Sequence, residues 1–525
     1  MTLGNRWLED WMISDDDIEY LNGILLEKEI PLSIDELALA LIERRIKNQE
    51  SALRAVVKDI RIYAPAQSYD IGQKLMFTSF DNRIGTVVDL RDGDNPAIGD
   101  FAVVRVQFDD GGAAREFAAQ LQLDHPLNHL DSAVPIEQLP SAAEVFEAKK
   151  AQIRLRLTEK LSQSAEFVSV AGKWFPRSLM LELNEGYLNL AEAVLDIAGG
   201  EPMLTRDILE QIGGLGTADP SLQTFSLDDA LNRDTRFDEV GPVDTILWYL
   251  RRLEPAEVQS TPAMLDYQPV SFDRTLLSPE LMALEEEIDD EWSDIDHTDD
   301  TEFADEAGIL LIYPHRRVGT LPLNYGMRRI FPTARRTPRV YVKLVDAEDG
   351  EEFTGWVVRQ SRYVFGLSQF YRKHQVPVGA RMIARRSPEP GKIIIEVKNY
   401  RKRAEWVRLI VPKDGQIKFE EQKRSLSAEY DDQMILGTDD IAAVDALFQA
   451  TSNSWKTIPA ILRTLITELL VSSPQDTIHA KTLYSAFNVL RRCPPGPIFA
   501  ALMTTGDFEH IGNHYWKLRE SARKD

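Results

Sequence analysis

The run Phe237-Asp238-Glu239-Val240-Gly241, followed by Leu247-Trp248-Tyr249-Leu250, recurs near the other end of the chain. There it reads Phe508-Glu509-His510-Ile511-Gly512, followed by Tyr515-Trp516-Lys517-Leu518. In both places a phenylalanine and an acid lead to a β-branched residue and glycine, and a short gap leads to Trp-x-Leu. The glycine permits a turn, and the two large aromatics can pin the resulting hairpin onto helices. Three helical segments precede each hairpin: 189–197, 205–212 and 225–232 before the first, 458–471, 480–490 and 497–503 before the second. A unit of three helices and a hairpin, present twice, is the economical reading.

The rest of the chain must be fitted around that repeat. At 525 residues and roughly 150 per domain, three or four domains are expected, each with its own core. The composition, 43% hydrophobic and 27% charged, is that of an ordinary globular protein. A single cysteine, Cys493, excludes an intrachain disulfide and any multi-cysteine metal site. No apolar run approaches the ~20 residues a membrane span needs. The first residues, with Trp7, Glu9 and Asp10, lack the apolar core of a secretory signal. The expectation is a soluble, cytoplasmic, multidomain α+β protein with no membrane contact.

Helices are predicted over 1–65, where Ser14-Asp15-Asp16-Asp17 and Ser33 with Glu36 supply N-caps. Short strands at 74–77, 85–90, 101–108 and 114–117, with turns at 92–96 and 109–112, place a small β-barrel at 66–130. A polar helical connector follows at 140–163, then the first repeated unit at 164–256, taken to open with strands around Phe167–Val170 and Trp174. An acidic linker occupies 257–306, a basic β-domain 307–412, and the second repeated unit 438–525.

These segments carry resemblances. The order Ile71-Gly72-Gln73-Lys74-Leu75, Gly85-Thr86-Val87-Val88 and Val104-Arg105-Val106-Gln107-Phe108 resembles the SH3-like barrels of transcription-associated and chromatin proteins. The repeated unit resembles a winged helix of the restriction- and polymerase-associated kind, over about 80 to 90 residues in each copy. That likeness implies a helix-turn-helix whose wing is the Phe…Trp hairpin, contacting either DNA or protein. The third helix of the first copy, with Asp228, Asp229 and Asp234 against Arg233 and Arg236, is poorly charged for a phosphate-lined groove. The second copy is better supplied, with Lys481, Arg491, Arg492, His510, His514 and Lys517.

Charge is distributed very unevenly. The net charge is −24, which by itself disfavours a polyanionic ligand. Yet 285–306 holds 13 Asp/Glu and no Lys or Arg, while 308–408 holds 21 Lys/Arg against 8 Asp/Glu. Within the basic stretch, Gly319-Thr320-Leu321-Pro322-Leu323, Val340 to Asp346, Trp356-Val357-Val358-Arg359, Tyr363 to Leu367 and Val378-Gly379 follow one another as short apolar motifs. That order resembles a B3-type pseudobarrel, a fold of plant transcription factors and restriction-enzyme effector domains that lays two loop arms in the DNA major groove. Gly379-Ala380 stands where the family usually has Gly-Asp. The resemblance implies one arm around Arg328, Arg329, Arg335, Arg336 and Arg339 and a second near Arg359, Arg362 and Tyr363. Arg372 and Lys373, on a short helix expected at 367–374, are further candidate contacts. Arginine's planar fork suits guanine edges and phosphate alike. The acidic stretch reads as a solvated linker or as a phosphate mimic covering this basic face.

Chemistry is less well supported. Glu396-x-Lys398 has the acid-x-Lys spacing of Mg²⁺-dependent nucleases, with Asp346 as the only tempting further acid. His510 and His514 lie across a turn, Cys493 lacks a nucleophile's context, and Gly213-Gly214-Leu215-Gly216 lacks the Lys-Ser/Thr of a phosphate loop. The sequence points to a non-catalytic, modular, transcription- or defence-associated protein that binds duplex DNA, with no cofactor and no metal. The alternatives are a scaffold for RNA polymerase or a nuclease subunit, and a nuclease using Asp346, Glu396 and Lys398.

Overall fold

In the computed structural model, residues 11–129, 140–243, 245–295, 305–452, 454, 456–473 and 476–523 are described. The chain divides into two compact units, residues 1–182 with 215–226, and residues 183–214 with 227–525. It is a mixed α+β protein, and among the described residues no helix is long and apolar enough to cross a membrane.

In the first unit, Ser14 caps the helix Asp15–Lys28 through a capping box with Asp17. A two-residue strand, Leu32–Ser33, leads into the helix Ile34–Lys58. A five-stranded sheet follows in sequential order: Ile60–Ile62, Lys74–Phe77, Arg83–Asp92, Ala102–Phe108 and Arg115–Ala119. Its core is aromatic, with Tyr63 and Phe117 packed 4.7 and 4.3 Å from Phe77. The helix Ala142–Gln163, capped by Ser141 and Glu144, then leads to the hairpin Phe167–Val170 and Lys173–Pro176.

That hairpin corrects the expected boundary at 164. It pairs with Leu32–Ser33, giving a three-stranded sheet, and so completes a unit begun by the N-terminal helices. The supposed connector helix is the third helix of that unit. The repeat therefore occurs three times, each copy running helix, short strand, helix, helix, hairpin, and the five-stranded sheet is inserted into the first copy between its second and third helices. The second copy consists of Glu185–Ile197, Met203–Leu204, Thr205–Ile212, Pro220–Arg233 (a helix that crosses the division between the units), Phe237–Glu239 and Leu247–Leu250. The third consists of Ile458–Leu470, Ile478–His479, Ala480–Leu490, Pro495–Thr504, Phe508–Gly512 and Tyr515–Leu518.

Strand register makes the equivalence specific. Trp174 stands opposite Leu32, Trp248 opposite Met203 and Trp516 opposite Ile478, in each case the first residue of the two-residue strand. Phe167, Phe237 and Phe508 each face the residue two beyond the tryptophan: Pro176, Leu250 and Leu518. All six aromatics are buried.

Between the second and third copies lies a seven-stranded sheet. Its order is Glu306–Leu310, Arg381–Arg386, Lys392–Val397, Arg339–Asp346, Glu352–Val358, Tyr363–Phe365 and Thr320–Pro322. Every pairing is antiparallel except that of Arg339–Asp346 with Lys392–Val397. The helix Tyr313–Val318 stops at Gly319, whose φ is +78° and where a Cβ would lie 1.8 Å from the Ser368 Oγ; glycine is required there twice over. Beyond residue 397 the chain forms a long ribbon, Asn399–Lys413 paired with Gln416–Ala428, to which Leu436–Gly437 adds a short third strand parallel to the first. The expected domain edge at 412 thus falls inside a hairpin.

The expected acidic linker is also corrected. Ser278 caps a helix, Pro279–Ile288, whose Leu281, Leu284 and Ile288 are buried in the same core as the third copy. Glu285, Asp290 and Glu291 are buried with them. Acidic density alone reads as solvated chain, but the interleaved leucines and isoleucines are a helical face. Residues 296–304 lie outside the described residues.

Candidate nucleic-acid interface

The ten residues expected to touch DNA separate into two groups. The first group is committed to internal partners. Arg339 bridges Asp238 at 2.9 Å and the buried carboxylate of Glu254. Burial pushes that Glu254 carboxyl up to about 8, with the neighbouring Asp238 adding to the effect. Tyr363 is fully buried, its hydroxyl donating to the Glu257 carbonyl at 2.5 Å. Arg359 donates to the Thr337 carbonyl at 2.9 Å. Arg362 donates to the Glu291 carbonyl at 2.6 Å and lies 4.6 Å from the centre of the Trp292 ring. Lys373 sits among Asp346, Asp349 and Glu351 at 2.8, 2.5 and 2.8 Å, and these bonds hold its ammonium above its usual range. The arm expected at Arg359, Arg362 and Tyr363 is therefore an internal brace.

The second group faces outward. Arg328, Arg335, Arg336 and Arg372 are exposed and Arg329 is half-buried over Tyr325. Arg335 and Arg336 have interactions of their own. Arg328 reaches only the Asn324 carbonyl, at 3.4 Å. These residues do not form one arm with Arg339, whose side chain points into the fold.

The better surface was hidden in the tail of the basic stretch. Lys398, Tyr400, Arg401, Lys402 and Arg403 run consecutively apart from Asn399, and all are exposed. Among the described residues the side chains of Lys398, Arg401 and Lys402 have no hydrogen-bond or ion-pair partner. Trp406, 60% exposed, stands opposite Lys423, whose ammonium lies 5.2 Å from the indole centre. Arg403 covers Tyr400 in the same manner at 5.4 Å, with Glu405 3.7 Å away. The run has strand character because Val407, Leu409 and Ile410 further along it are buried and anchor the ribbon. A signal was present in the sequence: Tyr400 and Trp406 flank three consecutive cations, an aromatic–basic interleaving.

Among the described residues, the third repeated unit offers no comparable surface. Helix Ala480–Leu490 is buried throughout, and Arg492 and Lys481, read as available cations, have side chains 0% and 6% exposed. Lys481 is held by Glu287 and Asp431 at 2.6 and 2.7 Å. The third helix, Pro495–Thr504, carries no charge and is mostly buried.

Of the nuclease constellation, Asp346 and Glu396 do line one cavity of about 470 Å³, with His374 and Arg385. Both acids already have partners, Glu396 in Arg385 at 2.7 Å and Asp346 in Lys373 and the His374 ring at 2.8 and 2.7 Å. Lys398 is not in that lining. The His510 ring rests on Trp516 at 4.8 Å, and His514 packs edge-on to His479 at 5.6 Å. Comparison with known protein families, curated proteins and solved structures gives no match.

Proposed function

We propose that this protein binds duplex DNA without catalysis, through the exposed basic ribbon at 398–406 and the outward arginines of the seven-stranded domain. The single observation that carries the reading is Lys398, just before the ribbon, with Arg401 and Lys402 at its irregularity between Asn399 and Arg403: three exposed cations without partners among the described residues, beside the exposed Tyr400 and Trp406. A ribbon of two strands fits the major groove, and unpaired cations on it release counterions from phosphate. In an otherwise acidic chain, such a surface confines polyanion contact to one face.

On this reading the seven-stranded domain is a B3-type pseudobarrel, the three repeated units are winged helices, and the five-stranded sheet is an SH3-like barrel. The winged helices then act as structural and protein-contacting modules, since the third keeps its helices inside the core. A second reading, a scaffold for polymerase or a nuclease subunit, is favoured by the internal commitment of Arg339, Arg359, Arg362 and Lys373. Fluorescence anisotropy of a labelled duplex titrated with the full chain, across a salt series, tests the first. Affinity falling steeply with salt supports it; no binding at about 50 mM salt, where phosphate contacts are strong, leaves the scaffold reading.

A further inference from the structure

A cavity of about 700 Å³ is lined by residues of the helix Tyr313–Val318, by the turn after Ser368–Lys373, by both ribbon strands and by residues 436–441. Val378, Val407, Leu409 and Leu436 give it an apolar wall. Its charged groups are unbalanced: Arg316, Arg317, Arg372 and Arg424 line it against one carboxylate, Asp439. Arg317 is compensated by Asp445 at 2.7 Å, and Arg424 by Asp439 at 2.5 Å. The other two arginines meet no carboxylate among the described residues. Arg316 donates only through Nε, to the Val376 carbonyl at 2.5 Å, and lies 5.5 Å from the centre of the Tyr371 ring. Arg372 donates only through Nε, to the Ser368 carbonyl at 3.3 Å.

Two more donors in the lining residues lack an acceptor among the described residues. The Tyr313 hydroxyl has none, although the residue is only 5% exposed, and neither has the Arg424 Nε. Burial pushes the Arg316 guanidinium down from its ordinary range, and the neighbouring Arg372 charge adds to this. Donors free to bond and cations without an anionic partner, beside an apolar wall, suit an anionic head joined to an apolar body.

We propose that this cavity binds a small amphipathic anion, a molecule with a phosphate or carboxylate head on a flat apolar body. The head sits between Arg316 and Arg372, and the body lies on the valine and leucine wall. The cavity is of the size that ordinarily encloses such ligands, roughly 300–1,000 Å³. The site shares Arg372 with the outward arginines of the DNA reading, but no residue of the basic run 398–403 lines it, so either reading can fail alone.

Isothermal titration calorimetry of the full chain with naphthyl phosphate, naphthoate, naphthol and inorganic phosphate tests it. The expected result is saturable binding of naphthyl phosphate or naphthoate, the tighter of the two identifying the head group. Naphthol and inorganic phosphate should bind about tenfold more weakly or not at all, because each lacks one half of the recognition. Arg316→Met should weaken the anion about tenfold. Arg372→Met, at an exposed side chain outside the core, should do the same and keeps the test valid if the first variant misfolds. Lys402→Ala should leave the affinity unchanged. No saturable binding of either anion, naphthol binding as tightly as they do, or wild-type affinity in Arg372→Met overturns the proposal.

Discussion

Arg492 meets Asp290 with both carboxylate oxygens 2.6 and 2.7 Å from its Nη2, and neither side chain is exposed to solvent. The same nitrogen reaches Glu291 at 2.6 Å, and Glu291 in turn meets His315 Nε2 at 3.0 Å. Burial works against ionisation of both acids. Arg492 and His315 outweigh it at Glu291, which is held down at about 2, whereas burial keeps Asp290 above its ordinary range. Tyr484 donates to Asp290 at 2.5 Å, and Asn488 accepts from Arg492 at 2.9 Å. The acidic stretch is thereby clamped to the end of a helix about 200 residues later in the chain.

Removing the cation should be severe. Arg492→Met leaves two buried carboxylates facing one another, and breaking a buried pair typically costs ~3–5 kcal/mol. Urea denaturation should show that loss in unfolding free energy; a change below ~1 kcal/mol would mean the network is not holding the fold together.

The acidic helix also sets a pH dependence. Glu285 is buried beside Arg274, at 3.1 Å, and burial raises its carboxyl from 4.5 to about 7. The folded chain therefore holds this proton more tightly than the unfolded one. The stabilisation is complete below pH 4.5 and is lost as pH rises through about 7. Glu285→Gln should flatten the stability profile across that window, by at most ~1.4 kcal/mol per pH unit. Unfolding titrations of both proteins at matched pH values check it, and parallel profiles would refute the assignment.

Two equivalent tryptophans should respond differently to the same change. The Trp248 indole N–H donates to Asp228 at 2.9 Å and Thr205 at 3.1 Å, both buried, whereas the Trp516 Nε1 has no partner among the described residues. Tryptophan to phenylalanine removes similar volume at each site but breaks hydrogen bonds to a buried carboxylate and hydroxyl only at Trp248, leaving Asp228 with Thr205. Trp248→Phe should therefore cost ~1–3 kcal/mol more than Trp516→Phe, measured by chemical denaturation. Equal costs would show that the hydrogen bonds are energetically idle.

The ribbon and the internal brace should separate affinity from stability. Replacing Arg401 and Lys402 by alanine should lower the slope of log affinity against log salt by about 2, near 0.9 for each lost phosphate contact. Stability should stay within ~0.5 kcal/mol, as for other exposed positions. Arg339→Ala should do the reverse, costing ~3–5 kcal/mol because the buried Glu254 loses its cation and Asp238 keeps only Arg251, at 3.9 Å. Anisotropy titrations and melting curves on the same preparations distinguish the two.

Much of the local structure was legible because its signals are local. Ser14 with Asp17 and Ser33 with Glu36 make the capping hydrogen bonds that their spacing predicts. The strands expected at 74–77 and near 85–90 are found as Lys74–Phe77 and Arg83–Asp92. The short helix foreseen around 367–374 is Ser368–Lys373. The Phe…Trp hairpins at 237–250 and 508–518 were visible as a repeat because both aromatics and the glycine recur at nearly the same spacing.

The third copy was not legible. Its two-residue strand, Leu32–Ser33, is too short to show alternation, and its hairpin lies about 130 residues away beyond an inserted sheet. Glu509 and His510 have no counterparts in Phe167-Val168-Ser169-Val170, so only strand register reveals the match.

By itself the sequence determined where helices and strands begin, that one unit repeats, and that positive charge is concentrated between residues 308 and 408. Tertiary structure alone decided which of those charges face water. Arg339 and Arg492 are indistinguishable by sequence from Arg401, yet the first two end among buried carboxylates and the third does not. The reason is physical: an ion pair is made between groups brought together by the fold, and its members here lie 85 to 202 residues apart. Composition counts charges, whereas only packing assigns them partners.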